Sequence, residues 1–160
     1  DNALVMQLKG KLSGTDIRCG CLGENESIWL ATGNGIYSFN TADGTFRHVE
    51  TSLFKQASSV AWNGKSTLWV GTEKYLYAYM ASTGAFAIFG AADGAAENEF
   101  LSNSRLVSAN GDVYLGGVQG LLQIGAEHEM AESEDLVIKL NKYLRNILKY
   151  QHFIKVNCLY

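Results

Sequence analysis

The chain has 160 residues, of which 47% are hydrophobic and 18% charged, and a formal net charge of −3. This length suits one ordinary hydrophobic core rather than two full domains, and the composition excludes a disordered or collagen-like chain. The negative charge argues against nucleic acid as a partner, because phosphate binding needs a dense cluster of Lys and Arg, and no apolar run reaches the roughly 18 residues of a membrane span.

A repeat occupies most of the first 125 residues. Residues 28–39 read IWLATGNGIYSF, and a related stretch, LWVGTEKYLYAY, follows 40 positions later at residues 68–79. A third copy, VYLGGVQGLLQI, lies another 45 positions on, at residues 113–124. A period of about 40 to 45 residues is typical of β-propeller blades or of helical repeats. The short β-rich runs and frequent turn signals in each copy favour the blade.

Each copy is predicted to form a four-stranded antiparallel sheet. The first unit has predicted strands at residues 17–22, 27–31, 35–40 and 46–49, and the second at residues 58–62, 67–71, 75–80 and 85–89. Dipeptides that favour positive φ angles mark the turns: Asp43-Gly44, Asn63-Gly64, Thr83-Gly84 and Asn110-Gly111. The predicted fold class is therefore all-β, a partial β-propeller of about three four-stranded antiparallel blades. The blades cover approximately residues 12–50, 55–90 and 100–125, within a domain at residues 1–125.

The repeat also predicts how the sheets pack. A lone four-stranded sheet exposes two apolar faces, so each sheet is expected to lie against its neighbours. Large residues at equivalent positions are expected to fill the space between sheets, and small residues two positions later to allow close approach: Trp29, Trp69 and Tyr114, then Ala31, Gly71 and Gly116. Propellers close with typically four to eight blades, so two apolar faces are expected to stay open here. The expected partners are the remaining blades or a second copy that associates through these faces, unless the C-terminal segment caps them.

The repeat resembles that of two-component regulator propellers, the extracytoplasmic sensor region of hybrid histidine kinases in Bacteroidetes. ESIWLATGNGIYSF, STLWVGTEKYLYAY, ADGTF and STGAF match the family pattern, although Tyr75 replaces its usual glycine. ENEFLSNSRLVSANGDVYLGGVQGLLQI resembles the closing blade of the second propeller. The resemblance implies the closing part of a sensor propeller in the periplasm. The family's kinase segment is absent from this sequence, so His48, His128 and His152 inherit no catalytic role.

Residues 126–160 are predicted to form a tail. Apolar residues recur at helical spacing between Leu136 and Leu148, Ser133 suits an N-cap, and acidic residues precede basic ones. These features predict a helix near residues 134–150. In the family, the last blade leads into a small β-sandwich, and EDLVIKL at residues 134–140 would then be its first strand.

One rim of the predicted sheets gathers polar loop residues. In a four-stranded meander, the turns between the second and third strands share one end with the segments that lead into each first strand. Loops on a rigid scaffold are where binding residues concentrate. The candidate ligand-binding residues are Arg18, Asn34, Lys74, Asn103, Arg105 and Gln119. Their polar and cationic groups suit an oligosaccharide, including an acidic one.

The sequence shows no recognisable set of catalytic residues. NGKS at residues 63–66 lacks the glycine of a phosphate-binding loop, and the histidines and cysteines show no metal-ligand spacing. Cys19 and Cys21 lie two apart on a predicted strand, which favours structural packing over a disulfide. We therefore predict no enzyme, no cofactor and no metal site. The predicted function is non-catalytic sensing of a carbohydrate-derived signal, with a propeller scaffold for protein interaction as the alternative and a hydrolase or lyase as a weaker third.

Overall fold

Eleven strands form three antiparallel sheets in the part of the chain that the computed structural model describes, residues 12, 15–49, 52–95 and 99–128. Sheet 1 contains, in spatial order, β1 (Ile17–Leu22), β2 (Ser27–Thr32), β3 (Gly35–Asn40) and β4 (Phe46–Val49). Sheet 2 contains β5 (Ser59–Trp62), β6 (Thr67–Gly71), β7 (Leu76–Met80) and β8 (Phe86–Phe89). Sheet 3 contains β9 (Phe100–Val107), β10 (Val113–Gly117) and β11 (Gly120–Ile124).

The predicted all-β fold class is confirmed, and every predicted strand of the first two units is present to within one residue at each end. The third unit differs, because its sheet has three strands among the described residues rather than four. The helix predicted near residues 134–150, and the alternative β-sandwich strand, lie outside the described residues. The domain boundary near residue 125 stays a prediction.

The turns explain why the strands pair in register. The glycines of the four predicted turn dipeptides all have positive φ, at 73°, 83°, 76° and 91° for Gly44, Gly64, Gly84 and Gly111. Such turns match the right-handed twist of the flanking strands and so fix which residues face each other. Pairs such as Trp29 with Ser38 and Trp69 with Ala78 therefore occupy equivalent places in sheets 1 and 2.

Tyr75, the departure from the family pattern, changes one turn locally. The equivalent residues Gly35 and Gly120 have φ angles of 116° and 125°, a region that disfavours a side chain. Tyr75 does not share this conformation. The Thr72 hydroxyl donates to the Tyr75 carbonyl at 3.0 Å, as the Thr32 hydroxyl does to the Gly35 carbonyl at 2.8 Å, and it also accepts the Tyr75 N–H at 3.1 Å. Strand β7 begins at Leu76, one residue later than the repeat predicts.

Sheets 1 and 2 share one hydrophobic core. Trp29 of sheet 1 meets Tyr79 of sheet 2 edge to face, with ring centroids 5.9 Å apart, which confirms the predicted packing role of this tryptophan. The core also includes buried residues from β1, from the other strands and from the link between the sheets: Cys19, Cys21, Ala31, Ile36, Phe54, Ala57, Val60, Trp62, Leu68, Val70 and Tyr77. Burial of these side chains away from water is the main term that stabilises the pair of sheets.

The first strands of the three sheets lie beside one another, since β1, β5 and β9 are in mutual contact. Cys19 and Cys21 lie on β1 within this region and are free thiols, as expected for packing residues. Burial raises the pKa of the Cys21 thiol to about 11, so it stays protonated at neutral pH. Both cysteines therefore act as small apolar side chains.

The open outer faces differ between the two ends of the stack. On sheet 3, Leu106 and Leu121 are 62% and 70% exposed, and Tyr114 is half-buried. On sheet 1, Phe39 is 1% exposed. Its neighbour Tyr37 is also buried, because its ring stacks on both Phe46 and His48 of the adjacent strand.

A carboxylate holds the turn between β9 and β10 against the end of β11. Asp112 accepts hydrogen bonds from the side chains of Asn110 and Gln123, at 3.0 and 3.3 Å, and from the Ala126 N–H at 3.0 Å. The Ala126 bond is the first cause that lowers the pKa of this carboxyl, followed by the Asn110 bond. Because the folded-state pKa is lowered, this stabilisation is complete above the unfolded value of about 3.9 and disappears as pH falls through the folded value.

We expect Asp112→Asn to lower the melting temperature at pH 7, since the amide has one oxygen where the carboxylate has two, so either the Ala126 bond or the two side-chain bonds lose their acceptor. The difference from the wild type should shrink as the pH falls from about 5 to 2, because the native carboxyl then becomes protonated as well. Thermal unfolding followed by circular dichroism across this range measures both effects. A difference that stays the same at every pH would contradict the assigned role of the charge.

Candidate functional site

The candidate site is the turn rim, defined as the end of the sheets where the β2–β3, β6–β7 and β10–β11 turns lie beside the starts of β1, β5 and β9. Strand register places these parts together within each sheet, because Ile17 pairs with Thr32, Ser59 with Gly71, and Phe100 with Gly117. The predicted arrangement of turns and first strands at one end is therefore present in all three sheets.

Backbone hydrogen bonds join the turn rim from one sheet to the next. The Gln56 N–H, in the link between sheets 1 and 2, donates to the Gly33 carbonyl at 3.2 Å. The Phe100 N–H, at the start of sheet 3, donates to the Thr72 carbonyl of sheet 2 at 3.3 Å. Each link is thus fastened to the turn of the preceding sheet, which makes the rim a continuous surface of backbone rather than separate loop tips.

Arg18 lies at the sheet 1 end of this rim. Its Nε donates to Asp16 Oδ2 at 2.8 Å, and its Nη2 lies over Gly33, 3.3 Å from where a β-carbon would be. The small residue at position 33 therefore lets the guanidinium lie flat on the turn. Asp16 balances part of the Arg18 charge, so this end of the rim offers fixed N–H donors without a strong net field.

Asn34 is exposed at the tip of the same turn, as predicted. Its N–H donates to the Thr32 hydroxyl at 3.1 Å, and its carbonyl accepts a hydrogen bond from His48 Nε2 at 3.1 Å. The His48 ring stacks on Tyr37, with centroids 4.2 Å apart and an interplanar angle of 8°. His48 was not among the predicted site residues. The hairpin register could have identified it from the sequence, because this register pairs His48 with Tyr37 beside the turn.

Lys74 and Gln119 occupy the equivalent turns of sheets 2 and 3 and are both exposed. Lys74 lies beside Glu73, which is also exposed, so cationic and acidic groups alternate at this turn as they do at Arg18 and Asp16. Val118, next to Gln119, is bonded through its N–H to the Glu99 carbonyl at 3.1 Å. Four of the six predicted residues, Arg18, Asn34, Lys74 and Gln119, therefore lie on the turn rim.

Asn103 and Arg105 do not lie in a loop that leads into sheet 3, which corrects the prediction of their location. Strand β9 already begins at Phe100, and an irregularity between the Gly117 and Leu115 pairs places Asn103 within it at a φ of 60°. Arg105 lies opposite Leu115 in the strand. Its Nη2 donates to the Gly20 carbonyl of β1, which places the guanidinium between sheets 1 and 3.

The polar groups of the turn rim are hydrogen-bond donors and acceptors held on short turns. Such an array can bind hydroxyl groups, whereas it does not form an acid–base pair or a nucleophile with its base. Among residues 12, 15–49, 52–95 and 99–128, no cluster of His, Cys, Asp and Glu could hold a metal ion. Within those same residues, no helix has the length and apolarity needed to cross a bilayer.

No protein-family model matches the sequence, and no curated protein does so either. Solved structures do match. The extracellular domain of the putative hybrid two-component system BT3049 from B. thetaiotaomicron has a TM-score of 0.60 and 20% identity over 68% of this chain. The extracellular domain of BT4673 from the same organism is represented by two structures. One, described as a putative one-component system, has a TM-score of 0.57 and 22% identity over 74% of this chain. The other, described as a putative hybrid two-component system, has a TM-score of 0.55 and 24% identity over 67% of this chain.

This chain spans only 15%, 17% and 14% of the length of those three structures. Identities in this range establish a shared fold. The resemblance identified from the repeat motifs is therefore confirmed as a likeness of fold to the extracellular domains of two-component systems.

Proposed function

We propose that this chain is a non-catalytic, ligand-sensing part of an extracytoplasmic two-component sensor region. The observation that carries the proposal is the match in fold to the extracellular domains of such systems, at TM-scores of 0.55 to 0.60. The signal sensed is carbohydrate-derived and binds outside the cytoplasm, which in a cell with two membranes is the periplasm.

The turn rim supports this choice of ligand. Arg18 presents N–H groups held by Asp16, and Asn34 presents an exposed side-chain amide on a turn whose backbone is bonded to Thr32 and His48. Lys74 adds a flexible cation. A sugar offers many hydroxyl groups that both donate and accept, so an array of this kind can match it without burying charge. The alternation of Arg18 with Asp16 and of Lys74 with Glu73 favours a neutral oligosaccharide over a strongly acidic one.

A thermal-shift screen of the chain against neutral and acidic oligosaccharides tests the proposal, because a ligand that binds only the folded state raises the melting temperature. We expect at least one neutral sugar to stabilise the chain, and Arg18→Ala, Asn34→Ala and Lys74→Ala to reduce that shift. Lys65→Ala is the matched control, since Lys65 lies in the β5–β6 turn at the opposite end of sheet 2. No shift with any sugar, or a shift that the rim variants leave unchanged, would contradict the proposal.

The alternative function, a scaffold for protein interaction, is favoured by a different observation. Sheet 3 exposes Leu106 and Leu121, and exposed apolar surface is typical of sites where another chain docks. A sugar that stabilises the chain through the turn rim would support sensing. The absence of any such sugar would leave the scaffold as the better account.

A further inference from the structure

Three asparagines of the chain are followed directly by glycine: Asn34, Asn63 and Asn110. An asparagine in this position can lose its side-chain amide without an enzyme, because glycine has no β-carbon to keep its nitrogen away from the amide carbon. The reaction requires the asparagine side chain to leave its hydrogen bonds and fold back over the following peptide bond. The side-chain hydrogen bonds of the three asparagines therefore decide which of them reacts.

Asn63 is held most firmly. Its Oδ1 accepts hydrogen bonds from three backbone N–H groups, at 3.0, 3.1 and 3.0 Å for Lys65, Ser66 and Thr67. Asn63 is 6% exposed and Thr67 is 0% exposed. Movement of the Asn63 side chain would leave a buried N–H group without an acceptor, which costs the full desolvation of that group. This asparagine is therefore protected in the folded chain.

Asn110 is held by weaker and more exposed contacts. Its Oδ1 lies within reach of the Ser108 hydroxyl and accepts the Asp112 N–H at 3.4 Å, and its Nδ2 donates to Asp112 Oδ2 at 3.0 Å. The Ser108 hydroxyl also faces the Asp112 carbonyl at 3.0 Å, so its hydrogen is shared. Water can replace these bonds when the side chain turns, because Asn110 is exposed. Its protection is therefore intermediate.

Asn34 combines a fixed backbone with a free side chain. Its N–H donates to the Thr32 hydroxyl at 3.1 Å, and its carbonyl accepts a hydrogen bond from His48 Nε2 at 3.1 Å. The residue is exposed, and among the residues that the structure describes no group forms a hydrogen bond with its side-chain amide. No bond therefore has to break before this amide approaches the nitrogen of Gly35.

We propose that Asn34 is a site of spontaneous deamidation, at which the chain converts its own side-chain amide to a carboxylate. The Gly35 nitrogen attacks Asn34 Cγ and forms a bond with it, while the bond from Cγ to Nδ2 breaks. The proton of the Gly35 nitrogen leaves with Nδ2 as ammonia, and a cyclic imide remains. Water then adds to either carbonyl carbon of the imide and opens the ring, which gives aspartate or isoaspartate at position 34.

The conversion changes the turn rim. It adds one negative charge and removes the donors of an amide at the residue next to Gly33, over which the Arg18 guanidinium lies. Asp16 already binds that guanidinium at 2.8 Å, so the new carboxylate is an additional acidic group at this end of the rim. The rim of an aged chain is therefore more acidic than that of a fresh one. The proposal does not depend on which ligand the rim binds.

The experiment ages the full folded chain at mildly alkaline pH in water enriched in heavy oxygen, digests it in ordinary water and analyses the peptides by mass spectrometry. Only conversion during ageing then carries the label. We expect Asn34 to react first, Asn110 next and Asn63 last, with Asn34 at least about tenfold faster than Asn63 because of the buried bonds that hold the latter. In urea, the three asparagines should react at similar rates, since these bonds are absent.

Matched variants test whether the side-chain bonds control the order. Asp112→Ala and, separately, Ser108→Ala release contacts of the Asn110 amide, so conversion of Asn110 should become faster. Conversion of Asn34 should stay unchanged in both variants, which also shows that the rest of the chain keeps its structure. In Asn34→Gln, the longer side chain would have to close a larger ring. The label at position 34 should therefore disappear while labelling of Asn110 continues.

Three results would overturn the proposal. An Asn34 that stays unlabelled in the folded chain while it reacts in urea would show that the folded turn protects it. Conversion of Asn63 as fast as Asn34 in the folded chain would show that exposure and side-chain bonds do not set the order. An unchanged rate at Asn110 in both Asp112→Ala and Ser108→Ala would lead to the same conclusion.

Discussion

Phe54→Ala is expected to lower the free energy of unfolding by about 3–5 kcal/mol, a large part of the stability of an ordinary domain. Phe54 is 0% exposed and follows β4 in the link between sheets 1 and 2. Its ring meets three aromatic rings of sheet 2 edge to face, with centroids 5.2, 5.7 and 6.0 Å from Tyr77, Tyr79 and Phe86. Truncation would leave a cavity between these rings that the sheets cannot close without moving apart.

Urea denaturation followed by tryptophan fluorescence measures this loss, since Trp29 and Trp62 lie in the same core as Phe54. Phe86→Ala is the matched control. It removes one of the three aromatic contacts, but Phe86 is 42% exposed, so its loss should cost less than about 1.5 kcal/mol. Equal effects of the two variants would show that Phe54 is not the centre of this cluster.

Phe54 also connects the core to the candidate site. Its carbonyl accepts the Ala57 N–H at 3.2 Å, and Gln56 between them donates to Gly33 on the turn rim. A change in the aromatic cluster would therefore displace the backbone beneath Arg18 and Asn34. The stability of the link and the geometry of the turn rim depend on the same buried ring.

The sequence predicts the strands of sheets 1 and 2 well because the spacing of the repeat and the positions of the glycine turns indicate the same strand boundaries. The spacing of Trp29 and Trp69 sets the unit, and glycine turns such as Gly44 and Gly84 set the hairpin register. Phe54 has no such signal. It lies between repeats, and the position 40 residues later is Gly94, so comparison of the copies does not reveal it.

The third unit shows where the repeat stops being informative. Ser102, Asn103 and Ser104 are polar residues typical of a loop, yet they lie within β9 because an irregularity lets this strand keep its pairing with β10. This is why Asn103 and Arg105 were predicted in the wrong element. The residues of the turn rim were easier to predict, since Arg18, Asn34, Lys74 and Gln119 follow directly from the strand boundaries.

His48 illustrates a site residue that register could have identified. It is adjacent to no turn in sequence, and as one of three histidines without metal spacing it carries no motif. The predicted hairpin of β3 and β4 nevertheless places it opposite Tyr37, two residues from the end of the turn that holds Asn34. Cross-strand pairs of this kind are the unit of packing in a sheet and can be read once the turn is known.

At Gly71, the backbone of sheet 2 lies close to Phe100 of sheet 3. A β-carbon on Gly71 would lie 2.7 Å from both Cβ and Cγ of Phe100, closer than such atoms approach in proteins. The Cβ of Phe100 is attached to the backbone of β9, so it cannot rotate away, and the two sheets must separate instead. The predicted role of this small residue in close sheet approach is therefore confirmed.

We expect Gly71→Ala to destabilise the chain by about 1–3 kcal/mol through overpacking, and Gly71→Val to cost more because two further methyl groups enter the same space. Gly90→Ala is the matched control. Its β-carbon would lie 3.6 Å from the Tyr75 ring, an ordinary contact, and its φ of −126° suits any residue, so its effect should stay within about 0.5 kcal/mol.

A double-mutant cycle with Phe100→Gly separates this contact from any intrinsic effect of alanine in β6. The Phe100→Gly change alone costs stability, but it removes both the Cβ and the ring atom that Gly71→Ala would meet. The cost of Gly71→Ala should therefore be at least about 0.5 kcal/mol smaller in that background, measured by urea denaturation. Strictly additive costs would contradict the clash. The same displacement should also loosen the bond from the Phe100 N–H to Thr72, so exchange of that amide should become faster in Gly71→Ala and stay unchanged in Gly90→Ala.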